Sequence, residues 1–179
     1  MKNIVFLFLG FVIAMCSACK TQTITPAIVP PAEIEVQKPL DTKHSLGVIG
    51  AVEPVYVLPM KAPLAARIDT GAETSSIDVA NLKSFERDGE KWVSFNVINR
   101  ETGEKHHFEK EVVRQTSITR INVHEKRQVV MLDIKLGNEI ISAEFSLANR
   151  EKFEYQVLIG RNVLTGRAIV DTALENTLH

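Results

Sequence analysis

The stretch that decides the fold is ARIDTGAETSSI, Ala66–Ile77, in which one acidic residue separates an apolar run from small and hydroxylated residues. Asp69 ends the run PLAARI and is followed by Thr70, Gly71 and Ala72. The glycine permits a tight backbone approach and lets its N–H reach the carboxylate, while the Thr70 hydroxyl can bond across to a partner chain. The pattern favours a carboxylate held in place for chemistry over a surface turn residue.

Hydrolysis of an amide by a carboxylate requires a second acid beside it. Two carboxyl groups within hydrogen-bond reach cannot both ionise, so they share one proton. One group then takes a proton from water while the other donates to the scissile carbonyl. Asp171, in RAIVDTA, lacks the following glycine and is interpreted as a strand-end residue. Asp133, in VMLDIKLG, is interpreted as part of the polar face of an alternating strand.

Two stretches resemble aspartic peptidases of the retropepsin type. DTGA, Asp69–Ala72, resembles their active-site motif, in which Asp-Thr/Ser-Gly follows an apolar strand, and VLIGRNVL, Val157–Leu164, resembles their hydrophobic-hydrophobic-glycine element, which crosses behind the aspartate loop before a short helix. The resemblance implies that Asp69, Thr70 and Gly71 form the catalytic motif. The residues it implies for substrate binding or support of the site are Ala72, Ile159, Gly160, Arg161 and Asn162.

The resemblance also implies a partner and a cover for the site. Pepsin-like enzymes with two lobes carry two such motifs, whereas this sequence has one motif in one small domain, so we expect a homodimer that brings two copies of Asp69 to a two-fold axis. We expect an ion pair between Glu73 and Arg161 beside the motif. The polar segment Asn99–Phe108, with Gly103 at its tip, is a candidate flap, although a solvent-exposed hairpin has the same pattern.

A narrower resemblance covers Leu46–Asp171. Four stretches together resemble the bacterial retropepsin-like family labelled putative ATP-dependent zinc protease. They are GVIGAVEPVYVLP, ARIDTGAETSSIDV, FERDGEKWVSFNV and LANREKFEYQVLIGRNVLTGRAIVD. That family also occurs beside ATP-grasp ligases that attach amino acids to proteins. Ala168 and Ile169 replace the bulkier pair common in that family, and DTALENTL replaces a Pro-Ser-rich ending.

The family label implies that zinc and ATP are bound, but the sequence contains a binding motif for neither. It contains no His-Glu-x-x-His or paired-cysteine spacing, and the adjacent His106 and His107 would point to opposite faces of a strand. It also lacks a G-x-x-x-x-G-K-S/T loop for phosphates. We therefore expect no metal and no cofactor.

The pattern of the remaining sequence is mostly strand. Alternating and β-branched runs are separated by Gly- and Asn-containing turns, including 100–105 and 136–139, which predicts an antiparallel barrel or sandwich. Short helices are predicted at DVANLKSF, Asp78–Phe85, and at GRNVLTG, Gly160–Gly166. With the resemblance, the expected fold class is all-β: a closed retropepsin-like barrel with one short C-terminal helix.

The amino-terminal residues predict export. A lysine, the apolar run IVFLFLGFVIAM and small residues predict a signal peptide over residues 1–18. SAC, ending at Cys19, resembles the bacterial lipobox, with Cys16 where Leu is usual, and implies lipidation of Cys19; ordinary cleavage near Ala18 is the alternative. Lys20 resembles lipoproteins sent to the outer membrane, so we expect a periplasm-facing lipoprotein of the cell envelope.

Composition indicates the domain boundaries and excludes two classes of partner. Residues 19–45 are rich in Pro and Thr and predict a flexible tether carrying the lipid, followed by a domain over residues 46–179. The chain is 45% hydrophobic and 24% charged with a net charge of −1, so it has no electrostatic case for nucleic acid and no polybasic patch for a membrane. We expect membrane contact through the lipid alone.

Three hypotheses follow. The first is an aspartic endopeptidase that hydrolyses an extended peptide, with water activated by an Asp69 dyad across a homodimer. The second is a non-catalytic retropepsin-fold lipoprotein that binds or senses a ligand in the envelope, in which Asp69 only hydrogen-bonds its own loop. The third is a structural lipoprotein. The third is disfavoured, because an unused aspartate at the end of an apolar strand is costly.

Overall fold

The computed structural model describes residues 44–120 and 123–178, with side chains omitted at 118–120, 123 and 124. The expected signal peptide, Cys19 and the tether before residue 44 lie outside the described residues. Within the described ranges, no helix is long and apolar enough to span a bilayer. The elements are β1 (Gly47–Ile49), β2 (Val52–Val57), β3 (Leu64–Ile68), β4 (Ser75–Asp78), β5 (Ala80–Arg87), β6 (Glu90–Ile98), β7 (Lys105–Glu111), β8 (Arg114–Arg120), β9 (Val123–Leu136), β10 (Glu139–Ala148), β11 (Val157–Ile159), α1 (Arg161–Leu164) and β12 (Ala168–Val170).

Six strands close a barrel, which confirms the expected all-β fold with one short helix. Their order is β10-β4-β11-β3-β2-β9, and antiparallel pairing of β9 with β10 closes the ring. Strand β3 shows why these residues form it, because Leu64, Ala66 and Ile68 are buried while the residues between them are exposed. The strand therefore points one face at the core and ends at Ile68, directly before Asp69. Asp133 is exposed on β9, as its alternating pattern predicts.

Two elements extend beyond the barrel. The first half of the long strand β9 pairs with β8, and its second half pairs with β10, so β8 and β9 form a hairpin that continues past the barrel wall. Strands β5, β6 and β7 form a separate three-stranded antiparallel sheet. The helix predicted at Asp78–Phe85 is wrong. Pairing of β5 with β6 and the ring contact between Phe85 and Trp92 override local helical preference there.

The hairpin considered as a flap, Asn99–Phe108, lies at the wrong end of β3. The Asn99 Nδ2 donates to the carbonyl of Pro63 at 2.8 Å, and the Glu104 carboxylate accepts the N–H groups of Lys61 and Ala62 at 2.9 and 2.7 Å. These partners precede β3, whereas Asp69 follows it. Five extended residues span about 16 Å. The interpretation of this segment as a flap is therefore wrong, and it is a fixed connection between β6 and β7.

The carboxy-terminal segment returns along β1 and β2 and is held by a buried carboxylate. Glu53 is fully buried and accepts hydrogen bonds from Gly50 N, from Thr177 N and Oγ1 at 3.1 and 2.6 Å, and from Leu178 N at 3.0 Å. A side chain at Gly50 would collide with the backbone of Leu174. This close approach explains why glycine occupies the position.

Candidate active site

The Asp69 carboxylate is fixed by its own loop. Its Oδ1 accepts the N–H of Gly71 at 2.9 Å and that of Ala72 at 3.2 Å. A Cβ at Gly71 would lie 3.2 Å from the same oxygen, so the glycine keeps the turn tight, as the motif predicts. Asp69 is half-buried, while Thr70 and Gly71 are exposed. Within the described residues Oδ1 is the only engaged carboxylate oxygen of Asp69, which leaves Oδ2 for another group.

Strand β11 supports the loop from behind, as the second motif implies. It runs parallel to β3, with Ile159 opposite Ile68, and the Ile159 carbonyl accepts the Asp69 N–H at 2.9 Å. Gly160 follows at a point where a Cβ would lie 3.0 Å from the Ala72 carbonyl oxygen. Only glycine allows the two segments to approach this closely without displacing backbone.

Asn162 and Ser75 join the two motifs. The Asn162 Oδ1 accepts from Ser75 N at 2.9 Å and from Ser75 Oγ at 2.8 Å, and its Nδ2 donates to the Glu144 carbonyl at 2.8 Å. Ser75 Oγ also accepts the Gly160 N–H at 3.0 Å. Ser75 is fully buried and was missed from the sequence. The signal was present, because a serine stands at a buried strand position just after the motif.

Arg161 supports the loop differently from the expectation. Its Nη1 donates to the carbonyl oxygens of Thr70 at 3.1 Å and Gly71 at 2.7 Å. In the described chain Arg161 forms no ion pair with Glu73, so that predicted pair is wrong. The outward-pointing carbonyls of the tight turn already provide acceptors for the guanidinium. The Glu73 segment is instead held by its backbone, whose carbonyl accepts the Asn162 N–H at 3.1 Å.

A second arginine connects the loop to the projecting hairpin. Arg114, at the start of β8, donates to Thr74 Oγ1 at 3.0 Å and forms an ion pair with Glu144 at 2.7 Å. Thr74 lies five positions after Asp69, so the base of the β8–β9 hairpin rests against the end of the active-site loop. No sequence signal indicated Arg114, because its partners are distant in the chain.

No second carboxyl group completes the site within one described chain. Asp69 forms no hydrogen bond to another acid among the described residues. Asp171 accepts the Ala173 N–H at 2.9 Å in its own turn, directly after β12, which confirms its interpretation as a strand-end residue. The chemistry of a shared proton therefore needs a carboxyl group from outside the described part of this chain.

The described residues do not fit a zinc site. Among the residues whose side chains the structure describes, 44–117 and 125–178, no three His, Cys, Asp or Glu side chains are grouped as ligands. His106 stacks edge-on against Phe108 at 4.6 Å, whereas the His107 Nδ1 lies 3.1 Å from Asn96 Oδ1. The two rings have separate partners, as expected for neighbours on a strand.

Comparison with known proteins agrees with this geometry. Residues 48–178 match the family model described as "Retropepsin-like aspartic endopeptidase RimB". The crystal structure of Lpg0085, a protein with unknown function from Legionella pneumophila, is 33% identical, with a TM-score of 0.63 over 74% of this chain and 98% of that one.

Curated relatives are much longer proteins. A probable alpha-L-glutamate ligase from Desulfotalea psychrophila is 35% identical over 122 residues, and one from Shewanella pealeana is 37% identical over 111 residues. These matches cover 64% and 60% of this chain but 25% and 24% of the ligases, so the chain spans about a quarter of the length of the relatives. Because the family model covers most of the chain and the Asp-Thr-Gly loop has the expected support, this protein belongs to the RimB-like family of retropepsin-like proteins.

Proposed function

We propose that the protein is an aspartic endopeptidase, active as a homodimer, in which two copies of Asp69 share one proton. The ionised carboxylate removes a proton from water, and the resulting oxygen attacks the scissile carbonyl carbon. The protonated carboxyl donates its hydrogen to the carbonyl oxygen, giving a tetrahedral intermediate. The carboxylate that gave up its proton then takes one from a hydroxyl of the intermediate, while the carboxyl that received the proton of water donates it to the amide nitrogen. The C–N bond breaks, a new carboxylic acid and an amine are released, and the dyad again shares one proton.

The observation that carries the proposal is the asymmetric hydrogen bonding of Asp69. One carboxylate oxygen accepts two N–H groups from its own loop, at 2.9 and 3.2 Å, and the other is left for a second carboxyl group. Supports from Ile159, Gly160 and Arg161 fix the loop around it. A carboxylate held this rigidly needs little reorganisation when water and substrate arrive.

An exposed apolar pair on neighbouring strands supports dimerisation. Val48 on β1 lies opposite Ile169 on β12, and their exposed fractions are 51% and 49%. Strand β12 follows α1, the helix that directly succeeds Gly160. Burying this pair against a second copy removes apolar surface from water. The two-fold partner would thereby adjoin the elements that support the Asp69 loop.

The substrate lies as an extended strand between the Asp69 loops and the base of the β8–β9 hairpin. The Arg114 contact with Thr74 supports this hairpin as the cover, in place of Asn99–Phe108. An extended peptide offers backbone groups that pair with free strand edges. The relatives are named probable alpha-L-glutamate ligases, so glutamate-containing peptides are the first substrates to test.

We further propose that the protein acts in the cell envelope as a periplasm-facing lipoprotein, held at the outer membrane through Cys19. The signal-like residues 1–18, the lipobox-like SAC and Lys20 support this location. The substrate in this proposal is a peptide or a protein, and no nucleic acid takes part.

The alternative is a non-catalytic binding or sensing lipoprotein. One observation favours it: in a single chain Asp69 bonds its own loop and has no acid partner among the described residues. If dimerisation uses another face, the carboxyl groups never meet and hydrolysis has no mechanism.

The test compares the full-length protein with Asp69→Asn, which keeps the loop acceptor but removes the shared proton. Both are incubated with a diverse peptide mixture that includes glutamate-rich peptides, at pH 4 to 7, and products are identified by mass spectrometry. Asp171→Asn is the matched control, because Asp171 is also followed by threonine but caps its own turn. Sedimentation measures the oligomeric state in parallel.

Cleavage by wild type and by Asp171→Asn, lost in Asp69→Asn, supports the peptidase. Absence of cleavage by a verified dimer supports the binding protein instead. Cleavage that survives Asp69→Asn refutes the proposed dyad.

A further inference from the structure

A second cleft lies between the three-stranded sheet and the β8–β9 hairpin. It encloses about 380 Å³, which is within the range of ligand-binding clefts. None of the residues assigned above to the Asp69 loop or its supports lines it. The residues that matter most for its chemistry are Ser84, Phe85, Trp92, Val112, Gln115 and Gln128.

One wall of the cleft is aromatic. The rings of Phe85 and Trp92 lie 6.4 Å apart, and the Arg87 guanidinium stands 4.5 Å from the Trp92 ring centroid. Arg87 is itself paired with Glu109 at 2.7 Å, which fixes the stack from β7. Val112 adds aliphatic surface. A bulky apolar side chain placed here would be removed from water against a wall that is already ordered.

The facing wall carries amides. Gln115 and Gln128 are opposite each other in the β8–β9 register, so their side chains emerge on the same face of the hairpin. Each primary amide offers both a donor and an acceptor, the two groups that a peptide backbone presents. The Gln128 Nε2 contacts Ser84 Oγ at 3.3 Å, a long and exposed hydrogen bond that a ligand can replace at small cost.

Two sheet edges border the cleft. Within the described residues, β8 has β9 as its one strand neighbour, and β5 has β6. Edge strands present unpaired backbone groups, and an extended polypeptide can pair with them. The cleft therefore suits an extended polypeptide. Its aromatic and aliphatic surface complements an apolar side chain, and its amides and free strand edges complement a peptide backbone.

We propose that this cleft is an accessory peptide-binding site, which holds an extended polypeptide segment carrying a bulky apolar side chain. The side chain packs on Phe85 and Trp92, and its backbone bonds to the Gln115 and Gln128 amides. The Gln side chains are on the face of the hairpin opposite Arg114, which contacts the active-site loop. The site is therefore separate from the proposed dyad and can be occupied whether or not Asp69 is catalytic.

Trp92 makes a direct test possible, because it is the single tryptophan of the chain. Full-length Asp69→Asn, which cannot turn over peptide by the proposed mechanism, is titrated with two acetylated and amidated Ser/Thr octapeptides that differ only in a central Phe or Ala. Tryptophan emission reports occupancy. The Phe peptide should shift the emission to shorter wavelength and bind about 10-fold more tightly than the Ala peptide.

The variant Gln115→Ala/Gln128→Ala should weaken binding of the Phe peptide by about 10-fold, from two lost hydrogen bonds. Asn138→Ala removes an exposed amide in the β9–β10 turn and should change nothing. Phe85→Leu, a milder second variant, should also weaken binding, and thermal unfolding verifies that each variant is folded.

Unchanged emission at millimolar Phe peptide, equal affinity for both peptides, or wild-type affinity in the double Gln variant would each overturn the site. Emission that depends on protein concentration without peptide would assign the cleft to a second copy, and also overturn it. Cleavage of the peptide mixture by wild type without an emission change in Asp69→Asn refutes only this cleft, whereas an emission change in Asp69→Asn without cleavage by a verified wild-type dimer refutes only the peptidase.

Discussion

Glu53 provides the sharpest prediction for stability. The residue is fully buried, and it ties the carboxy-terminal Thr177 and Leu178 to β2. Burial raises the pKa of Glu53, but hydrogen bonds from Thr177, Leu178 and Gly50 together outweigh burial and hold the pKa below its ordinary value of 4.5. The folded state therefore stabilises the ionised carboxylate of Glu53 over its protonated form.

Glu53→Gln preserves size but replaces one acceptor oxygen by an NH₂ group. With its oxygen at the Oε1 position, the glutamine keeps three neutral bonds and sets its NH₂ against the Leu178 N–H, which lies 3.0 Å from Oε2 in the native protein. One charge-assisted bond is lost and a buried donor is left unpaired, which together cost about 3 kcal/mol or more. For a domain of this size we expect the unfolding midpoint to fall by about 12 °C.

The pH dependence gives an independent check. Because the folded pKa is lowered, the stabilising contribution is present above pH 4.5 and is lost as pH falls below 4.5 through the folded value. The gap in midpoint between wild type and Glu53→Gln should therefore be largest near neutrality and shrink in acid. Calorimetry or circular dichroism from pH 7 to pH 3 measures it.

Glu104→Gln is the matched control. Glu104 also accepts two backbone N–H groups, from Lys61 and Ala62, and these bonds lower its pKa, but it is more solvent-accessible than Glu53. Solvent replaces its lost bonds, so its effect should be clearly smaller. Coincident melts of wild type and Glu53→Gln at pH 7, or a gap of equal size at both ends of the pH range, would refute the reasoning.

Two predictions concern the active-site loop. Gly160→Ala places a Cβ 3.0 Å from the Ala72 carbonyl oxygen, a backbone atom that must move. Peptide cleavage should therefore fall by about 100-fold in initial-rate assays. The control Thr165→Ala, at an exposed position, should leave the rate of cleavage unchanged. An unaltered rate in Gly160→Ala would show that the loop tolerates the shift. Asn162→Ala leaves the buried Ser75 N–H without its acceptor and should lower the free energy of unfolding by about 2 kcal/mol in urea titrations. A change within error of zero would mean that water substitutes for the amide.

Hydrogen bonds of Arg114 connect the β8–β9 hairpin to the active-site loop. Its bonds to Thr74 and Glu144 join β8, the active-site loop and β10. The Arg114 and Glu144 side chains are 41% and 33% exposed, so solvent screens the pair and it adds little stability. Its consequence is geometric, because it sets the position of the hairpin relative to Asp69.

Local patterns in the sequence determined the parts of this protein whose contacts are short in range. Strand alternation up to Ile68, the Asp69 turn closed by Gly71 and Ala72, and the helix after Gly160 all follow from residues within a few positions of each other. The all-β class followed from the same alternation. Recognition of the second motif added the support of the loop by β11.

Only the tertiary structure decided the contacts between distant segments. The Ser75–Asn162 bonds, the capture of the tail by Glu53, the strand conformation of β5 and the position of Asn99–Phe108 each depend on partners far along the chain or on another strand. Hydrogen-bond donors and acceptors carry no record of which partner they will meet. That choice is made when the chain folds and brings segments far apart in sequence into contact, so a single sequence could not reveal it.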